Sequence, residues 1–269
     1  MPRDGAESPE GKGTMFSRIR EYFHEDPETV AGSYWQLSAR DERVRDQAHW
    51  CGVLRWPRER WMEYGDFYVA YALKLLERFS GRAFLDDLGR KTALEWGCGG
   101  GANVRCLGKA FARVYGLDIS KDTLTACARQ MKDDGIANFS PVRIPVEDPQ
   151  AVLSFVPSES VDFILSIAVF QHFPSKAYAQ RVLHAIAALL KEDGRALIQV
   201  RYFDGSEKYR QKDGDYARNV ITMTSFTFEE FSRQLRQAGL KLIFAEKDIE
   251  REGLCHEYYF VGKAHDGED

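Results

Sequence analysis

Residues 94–102 read Leu-Glu-Trp-Gly-Cys-Gly-Gly-Gly-Ala, and this stretch decides the fold. The apolar run Thr92–Trp96 predicts a short buried strand, and residues 103–112 have the apolar spacing of a helix. Glycines between a strand and a helix let the backbone turn sharply and let a ligand approach the main chain. The next predicted strand is followed by Asp118, an acid placed to accept hydrogen bonds from two ribose hydroxyls.

From residue 92 onward, short apolar runs alternate with segments of helical length. Further strands are predicted at Val114–Leu117, Phe139–Ile144, Val161–Ser166, Ala196–Arg201, Leu240–Glu246 and Glu257–Val261, and further helices at 121–134, 175–191 and 227–238. Alternation of this kind is typical of a parallel sheet with crossover helices. The last two strands are joined by a short segment without helical spacing, which predicts a hairpin and one antiparallel strand.

Composition limits the function classes. The chain has 269 residues, 44% hydrophobic and 29% charged, with a formal net charge of -4. This charge balance does not favour nucleic acid as a partner, although it leaves room for local basic clusters. No apolar run reaches the ~20 residues that span a bilayer, and the N-terminus lacks the apolar core of a signal peptide. The five cysteines contain no C-x-x-C pair, which predicts neither a disulfide framework nor a zinc site. We therefore expect a cytoplasmic protein with no membrane partner and no metal.

The glycine spacing alone leaves the ligand open. Gly97, Gly99 and Ala102 also satisfy the dinucleotide fingerprint G-x-G-x-x-G/A, so a nicotinamide cofactor is one alternative, and a glycine-rich turn without a ligand is another. Glu95 favours a third interpretation. A carboxylate at the mouth of the loop repels a pyrophosphate, whereas it suits a cofactor with a sulfonium and a cationic amino group.

Several motifs resemble those of one family. Residues 95–101 resemble motif I of class I S-adenosylmethionine-dependent methyltransferases, and Asp118 resembles their ribose-binding acid. Residues 162–166 with 170–172 resemble the fourth strand and its loop, and 189–198 resembles the closing helix-turn-strand element. The resemblance covers about residues 88–263. It implies an α/β fold with a Rossmann-like seven-stranded sheet in the order 3-2-1-4-5-7-6, strand 7 antiparallel, and S-adenosylmethionine as cofactor.

The domain organisation follows from composition and helical patterning before residue 88 and from this resemblance after it. We expect a disordered N-terminus at 1–14, a helical cap on the substrate side at 15–87, and the S-adenosylmethionine-binding methyltransferase domain at 88–264. The cap contains four of the five tryptophans, with arginines between them. Aromatic faces stack on planar or sugar-like ligands and arginines bind anionic groups, so one interpretation is a cap that forms a wall of the acceptor site. The alternative is a cap that only packs on the sheet.

The resemblance and the position of the loops at the sheet edge together predict the cofactor-binding residues, which are Glu95, Gly97, Cys98, Gly99, Gly101, Asp118, Ile119, Val146, Glu147, Ser166 and Ile167. One position departs from the family. Many relatives carry an Asp just after the third strand that binds the adenine amino group, and here that acid is shifted or absent. The backbone near Val146, or the side chain of Glu147, is the candidate replacement, with a solvated acidic turn as the alternative.

His172 is the candidate catalytic base. It follows the fourth strand at the carboxyl edge, where open α/β sheets bind ligands, and an imidazole suits proton abstraction near neutral pH. The alternative is a histidine that only packs against the next helix. The candidate substrate-binding residues are Gln171, Arg201, Tyr202, Trp35 and Trp61.

The sequence thus predicts a methyltransferase that acts on a small molecule. A hydroxyl of a sugar or specialised metabolite is the expected acceptor, because His172 offers a base; transfer to nitrogen or carbon, and a non-catalytic cofactor-binding protein, are the alternatives. The motif for methylation of nucleobase amines, Asn/Asp-Pro-Pro-Tyr/Phe, is replaced by Ser-Ile-Ala-Val at 166–169, which argues against DNA amines.

Overall fold

The structure is a computed structural model that describes residues 26–52, 55–212, 214–248 and 255–264. The predicted disordered segment 1–14 lies outside the described residues. Seven strands form one sheet: β1 (Thr92–Trp96), β2 (Arg113–Asp118), β3 (Phe139–Arg143), β4 (Val161–Ser166), β5 (Leu190–Arg201), β6 (Leu240–Asp248) and β7 (His256–Lys263). Their order is β3-β2-β1-β4-β5-β7-β6, as the family resemblance implies.

The pairing directions also agree with the prediction. The four pairs from β3 to β5 are parallel, and β7 runs antiparallel to both β5 and β6. All six residues of β4 are buried, because helices cover both faces of the sheet centre. The order reverses between β1 and β4, so the loops after these two strands diverge and leave a crevice at their carboxyl ends.

The helices, in chain order, are α1 (Pro27–Gln36), α2 (Glu42–Gln47), α3 (Arg58–Ser80), α4 (Arg82–Asp86), α5 (Ala102–Ala110), α6 (Lys121–Asp133), α7 (Lys176–Leu189), α8 (Tyr216–Asn219) and α9 (Phe228–Gln237). Side-chain caps explain where several of them begin. Ser120 accepts a hydrogen bond from the backbone N–H of Thr123 at the start of α6, and Thr227 forms a reciprocal capping box with Glu230 at the start of α9. Five 3₁₀ turns complete the described helical structure, at Leu37–Ala39, Leu88–Arg90, Pro149–Ser154, Phe170–His172 and Val220–Thr222.

Two segments contain structure that the sequence does not predict. Strand β5 begins at Leu190, six residues before the predicted start, because the stretch after α7 pairs with β4 across a register shift between Val161 and Phe163. The segment 202–225, which has no sequence periodicity, contains α8 and a 3₁₀ turn. Contacts with the N-terminal segment, meaning residues 26–52 and 55–87, hold that short helix. Periodicity along the chain could therefore not reveal it.

The described part of the N-terminal segment is helical and lies against the glycine loop. Helix α3 crosses α5 at Gly65, where an added Cβ would lie 2.1 Å from the carbonyl oxygen of Ala102. Farther toward the N-terminus, Gln36 donates to the carbonyl of Ile119 over 2.9 Å, and the hydroxyls of Ser38 and Ser120 lie 2.9 Å apart. The segment therefore seats on the loop that follows β2. Within the described ranges, no helix combines the length and apolarity needed to cross a bilayer.

Candidate active site

A cavity opens at the carboxyl ends of β1, β2 and β4. It lies in the crevice where open α/β sheets bind ligands. Ten residues predicted from the sequence line it: Trp35, Glu95, Gly97, Cys98, Gly99, Asp118, Ile119, Val146, Ile167 and His172. Strand ends and the N-terminal segment both contribute to its wall.

Glu95 is a buried acid on the floor of the cavity. It is 2% exposed, and its Oε1 accepts a hydrogen bond from the side-chain amide of Asn103 over 2.6 Å. Its Oε2 is buried and has no hydrogen-bond partner within the described chain. Burial raises the pKa of Glu95 to about 8. A carboxyl left in this state is poised to ionise when a cationic group enters the cavity.

Asp118 is the second acid of the cavity. Its two oxygens accept hydrogen bonds from backbone N–H groups, Oδ2 from Gly99 over 3.2 Å and Oδ1 from Ser120 over 2.9 Å. Burial raises the pKa of Asp118 to about 6, although these hydrogen bonds favour the charged form. Each oxygen keeps a lone pair for a further donor, so the carboxylate can bind the hydroxyls of a ribose.

The glycine loop turns through left-handed conformations at Gly97, Gly99 and Gly101. At Gly99, an added Cβ would lie 2.5 Å from the carbonyl oxygen of Ala48; at Gly100, it would lie 2.5 Å from that of His49. The backbone N–H of Gly100 also donates to the carbonyl of Ala48 over 2.9 Å. The absence of side chains at these glycines therefore lets the N-terminal segment, as well as a ligand, pack against the loop backbone. The sequence motif does not reveal this second requirement for glycine.

His172 borders the cavity on the 3₁₀ turn after β4. Its Nδ1 lies 2.8 Å from the carbonyl oxygen of Val220, so Nδ1 carries the proton and the lone pair is on Nε2. Burial lowers the pKa of His172 to about 4, although the carbonyls of Val220 and Ala168 favour the charged ring. The ring is therefore neutral at pH 7, with its proton on Nδ1.

Two aromatic side chains from distant parts of the chain hold the His172 loop. The indole N–H of Trp35 donates to the hydroxyl of Tyr216 over 3.0 Å, and that hydroxyl donates to the backbone carbonyl of His172. Trp35 also meets the imidazole edge to face, with ring centroids 5.1 Å apart. The N-terminal segment, the β4 loop and α8 thus close one side of the cavity together.

Three predicted cofactor-binding residues do not line the cavity. Gly101 caps α5 and packs against the thiol of Cys127. The side chain of Glu147 is exposed to solvent, whereas its neighbour Val146 does line the cavity. Ser166 is fully buried, and its hydroxyl donates to the carbonyl of Trp96 over 3.3 Å.

Four predicted substrate-binding residues also lie outside the cavity lining. Gln171 and Trp61 are buried, and Trp61 lies in the core between α3 and α5 beneath Arg105. Arg201 is 2% exposed, and its guanidinium donates to the backbone carbonyls of Tyr209 and Lys208 over 2.7 and 3.1 Å, so it braces its own loop. The ring of Tyr202 stacks under the ammonium of Lys247 at 3.6 Å. Of the predicted substrate contacts, Trp35 is the one that lines the cavity.

The structure also brings in residues that sequence reasoning missed: Gln47, His49, Tyr64, Asn103, Phe173, Tyr178 and Tyr216. Asn103 could have been found, because it opens the helix after the glycine loop. The position of His49 could not, since it depends on how the N-terminal segment folds back. Among the described residues, no group of three or more His, Cys, Asp or Glu side chains is placed to hold a metal ion.

Comparisons with known proteins identify similar methyltransferases. Residues 94–196 match a family described as a methyltransferase domain. Two curated relatives are both named ubiquinone biosynthesis O-methyltransferase. The one from Glaesserella parasuis serovar 5 is 30% identical over 142 residues, covering 51% of this chain and 57% of that protein. The one from Hydrogenovibrio crunogenus is 29% identical over 134 residues, covering 50% and 52%. The chain thus spans little more than half the length of the curated relatives it matches.

A solved structure shares the fold over a longer stretch. The crystal structure of magnesium protoporphyrin IX methyltransferase from Synechocystis, with bound S-adenosylhomocysteine, superposes with a TM-score of 0.62. The superposition covers 88% of this chain and 100% of that one, at 14% sequence identity. It extends the agreement in fold beyond the matched domain.

Proposed function

We propose that the chain is a class I S-adenosylmethionine-dependent methyltransferase that acts on a hydroxyl group of a small molecule. The observation that carries this proposal is Glu95. A buried carboxylate with an unpartnered oxygen is unfavourable in a protein without a ligand, and the cationic groups of S-adenosylmethionine supply what it lacks. Asp118, at the end of the neighbouring strand, fits the ribose of the same cofactor.

The cofactor, when bound, supplies a methyl group on a positively charged sulfur, which is an activated leaving group. The protein then needs to align the acceptor with that methyl, an effect of up to ~7–11 kcal/mol in favourable cases. The N-terminal segment excludes water from one side of the cavity, and Trp35 with Tyr216 fixes the His172 loop. A hydroxyl acceptor loses a proton during the transfer. The lone pair on Nε2 of His172 can accept that proton.

Two observations support oxygen over nitrogen or carbon as the target atom. His172 borders the cavity with a neutral ring that can accept the proton of a hydroxyl, although its lowered pKa of about 4 makes it a weak base. Both curated relatives carry the name O-methyltransferase. For the acceptor itself we propose a polar small molecule, such as a sugar or a specialised metabolite, that binds in the cavity beside His172.

The proposal is tested in two steps with the full chain. Isothermal titration with S-adenosylhomocysteine and with NAD measures which cofactor binds, and tight NAD binding without S-adenosylhomocysteine binding would overturn the assignment. An assay for S-adenosylhomocysteine release is then run with S-adenosylmethionine and panels of neutral sugars, phenols and amines. We expect release with a hydroxyl acceptor. Cofactor binding without turnover on any panel would favour a non-catalytic binding protein, and turnover on amines alone would contradict oxygen as the target.

A further inference from the structure

His49, in the N-terminal segment, contacts the glycine loop, and the proposed function gives this residue no role. Its backbone is left-handed, with φ of 52°, a conformation that residues other than glycine keep only where the surroundings enforce it. Here the surroundings do so, because the carbonyls of Ala48 and His49 both abut the loop at Gly99 and Gly100. The backbone of His49 is thus fixed relative to the loop.

The ring of His49 is fixed as well. It stacks on Trp56 with centroids 4.3 Å apart and an interplanar angle of 25°, and it meets Tyr64 at 4.7 Å. These ring contacts are aromatic, and the ring nitrogens form no hydrogen bond with another described residue. The imidazole borders the cavity. Its N–H and lone pair are therefore available to a ligand held at the glycine loop.

The charges of the cavity leave one group of the cofactor unmatched. The amino-acid part of S-adenosylmethionine has an ammonium and a carboxylate, beside the positive sulfur. Glu95 and Asp118 supply negative charge, whereas the described lining residues include no lysine and no arginine. His172 lies after β4, with Nδ1 committed to the carbonyl of Val220. His49 lies against the glycine loop itself, and its ring is a neutral N–H donor at pH 7, because burial lowers its pKa to about 3.

We propose that His49 binds the carboxylate of the cofactor's amino-acid part, while the carboxylate of Glu95 binds its ammonium group. This inference rests on the proposed function, because it requires that the cavity holds S-adenosylmethionine. It assigns to the N-terminal segment a part in cofactor binding as well as in covering the acceptor. It also explains the left-handed His49, since a histidine displaced along the chain would not present its ring at the loop.

The test is a binding cycle that needs no turnover. The ligands are S-adenosylhomocysteine and its carboxamide, which lacks the negative charge, and the proteins are the wild type and His49→Phe, which keeps an aromatic ring without nitrogens. Isothermal titration gives four dissociation constants. For S-adenosylhomocysteine we expect His49→Phe to bind about 10- to 100-fold more weakly, the range for a hydrogen bond to a charged group. For the carboxamide we expect the two proteins to differ by less than about threefold.

Two controls separate this role from packing. His184→Phe, on the far helix α7, should bind both ligands as the wild type does. His49→Asn tolerates the left-handed backbone and retains an N–H donor, so it should recover part of the affinity for S-adenosylhomocysteine. Equal loss of both ligands in His49→Phe, or no loss of either, would overturn the assignment of His49. A wild-type protein that binds neither ligand would instead sink the proposed function.

Discussion

Replacement of Glu95 by Gln should make the ligand-free protein more stable and cofactor binding weaker. The carboxyl is buried, and its pKa rises from 4.5 to about 8 in the folded protein. Between these two pH values the folded state holds a proton that the unfolded state has released, so the stability of the wild type falls as pH rises through this window. Each pKa unit corresponds to ~1.4 kcal/mol, so ionisation of the unfolded chain costs the wild type about 3 kcal/mol of stability by pH 7.

Glutamine has nearly the same shape and no proton to lose. We therefore measure the free energy of unfolding in urea, without ligand, at pH 5 and at pH 8. From pH 5 to pH 8 this free energy should fall in the wild type, and the fall should be smaller by several kcal/mol in Glu95→Gln. Glu147→Gln, at an exposed position, serves as the matched control and should follow the wild type. Parallel stability curves for the wild type and Glu95→Gln would refute the assignment of a raised pKa to this carboxyl.

The same group links cofactor binding to pH in the opposite sense. A cationic ligand favours ionised Glu95, so the wild type must release a proton when it binds below pH 8. We expect the affinity for S-adenosylmethionine to rise by about tenfold or more from pH 6 to pH 8, and this dependence to weaken in Glu95→Gln. Titration in two buffers of different ionisation enthalpy measures the released proton directly. Proton uptake on binding at pH 7 would contradict the argument.

Three further changes probe the rest of the site. His172→Asn should lower turnover by ~10²–10⁴ with S-adenosylhomocysteine affinity nearly unchanged, and unchanged turnover would reject the role of base. Asp118→Asn, which keeps the shape but loses the charge, should raise the dissociation constant of S-adenosylhomocysteine roughly tenfold; equal binding of adenosine to mutant and wild type would argue against a ribose contact. Gly65→Ala would place a Cβ 2.1 Å from the carbonyl of Ala102 and should cost ~1–3 kcal/mol in urea unfolding. Gly89→Ala meets no heavy atom within 4 Å and is its control.

Much of the sheet was predictable because its signals are local. Strands β1 and β4 begin and end at the predicted residues, since each is a short, mostly apolar run. The strand order came from resemblance, and the pairing confirms it. The start of β5 and helix α8 were missed, because a register shift and tertiary contacts decide them and neither changes the period of apolar residues.

The candidate site divides in the same way. Glu95 and Asp118 are in the cavity because each directly ends or borders a strand whose direction the sheet fixes. Arg201 also lies at a strand end, but its guanidinium turns to the carbonyls of its own loop, since a buried cation must satisfy its donors where it can. The residue type and the strand position together could not distinguish these two outcomes.

What the amino-acid sequence determined was the chemistry of the sheet edge: a glycine turn, an acid on each of two neighbouring strands, and a histidine after the fourth. These features depend on residues close along the chain, where backbone geometry and charge act directly. The tertiary structure decided which face of the N-terminal segment covers the cavity, and hence that Trp35 and His49 line it while Trp61 is in the core. The reason is physical: long-range packing places those side chains, and no spacing between neighbouring residues records it.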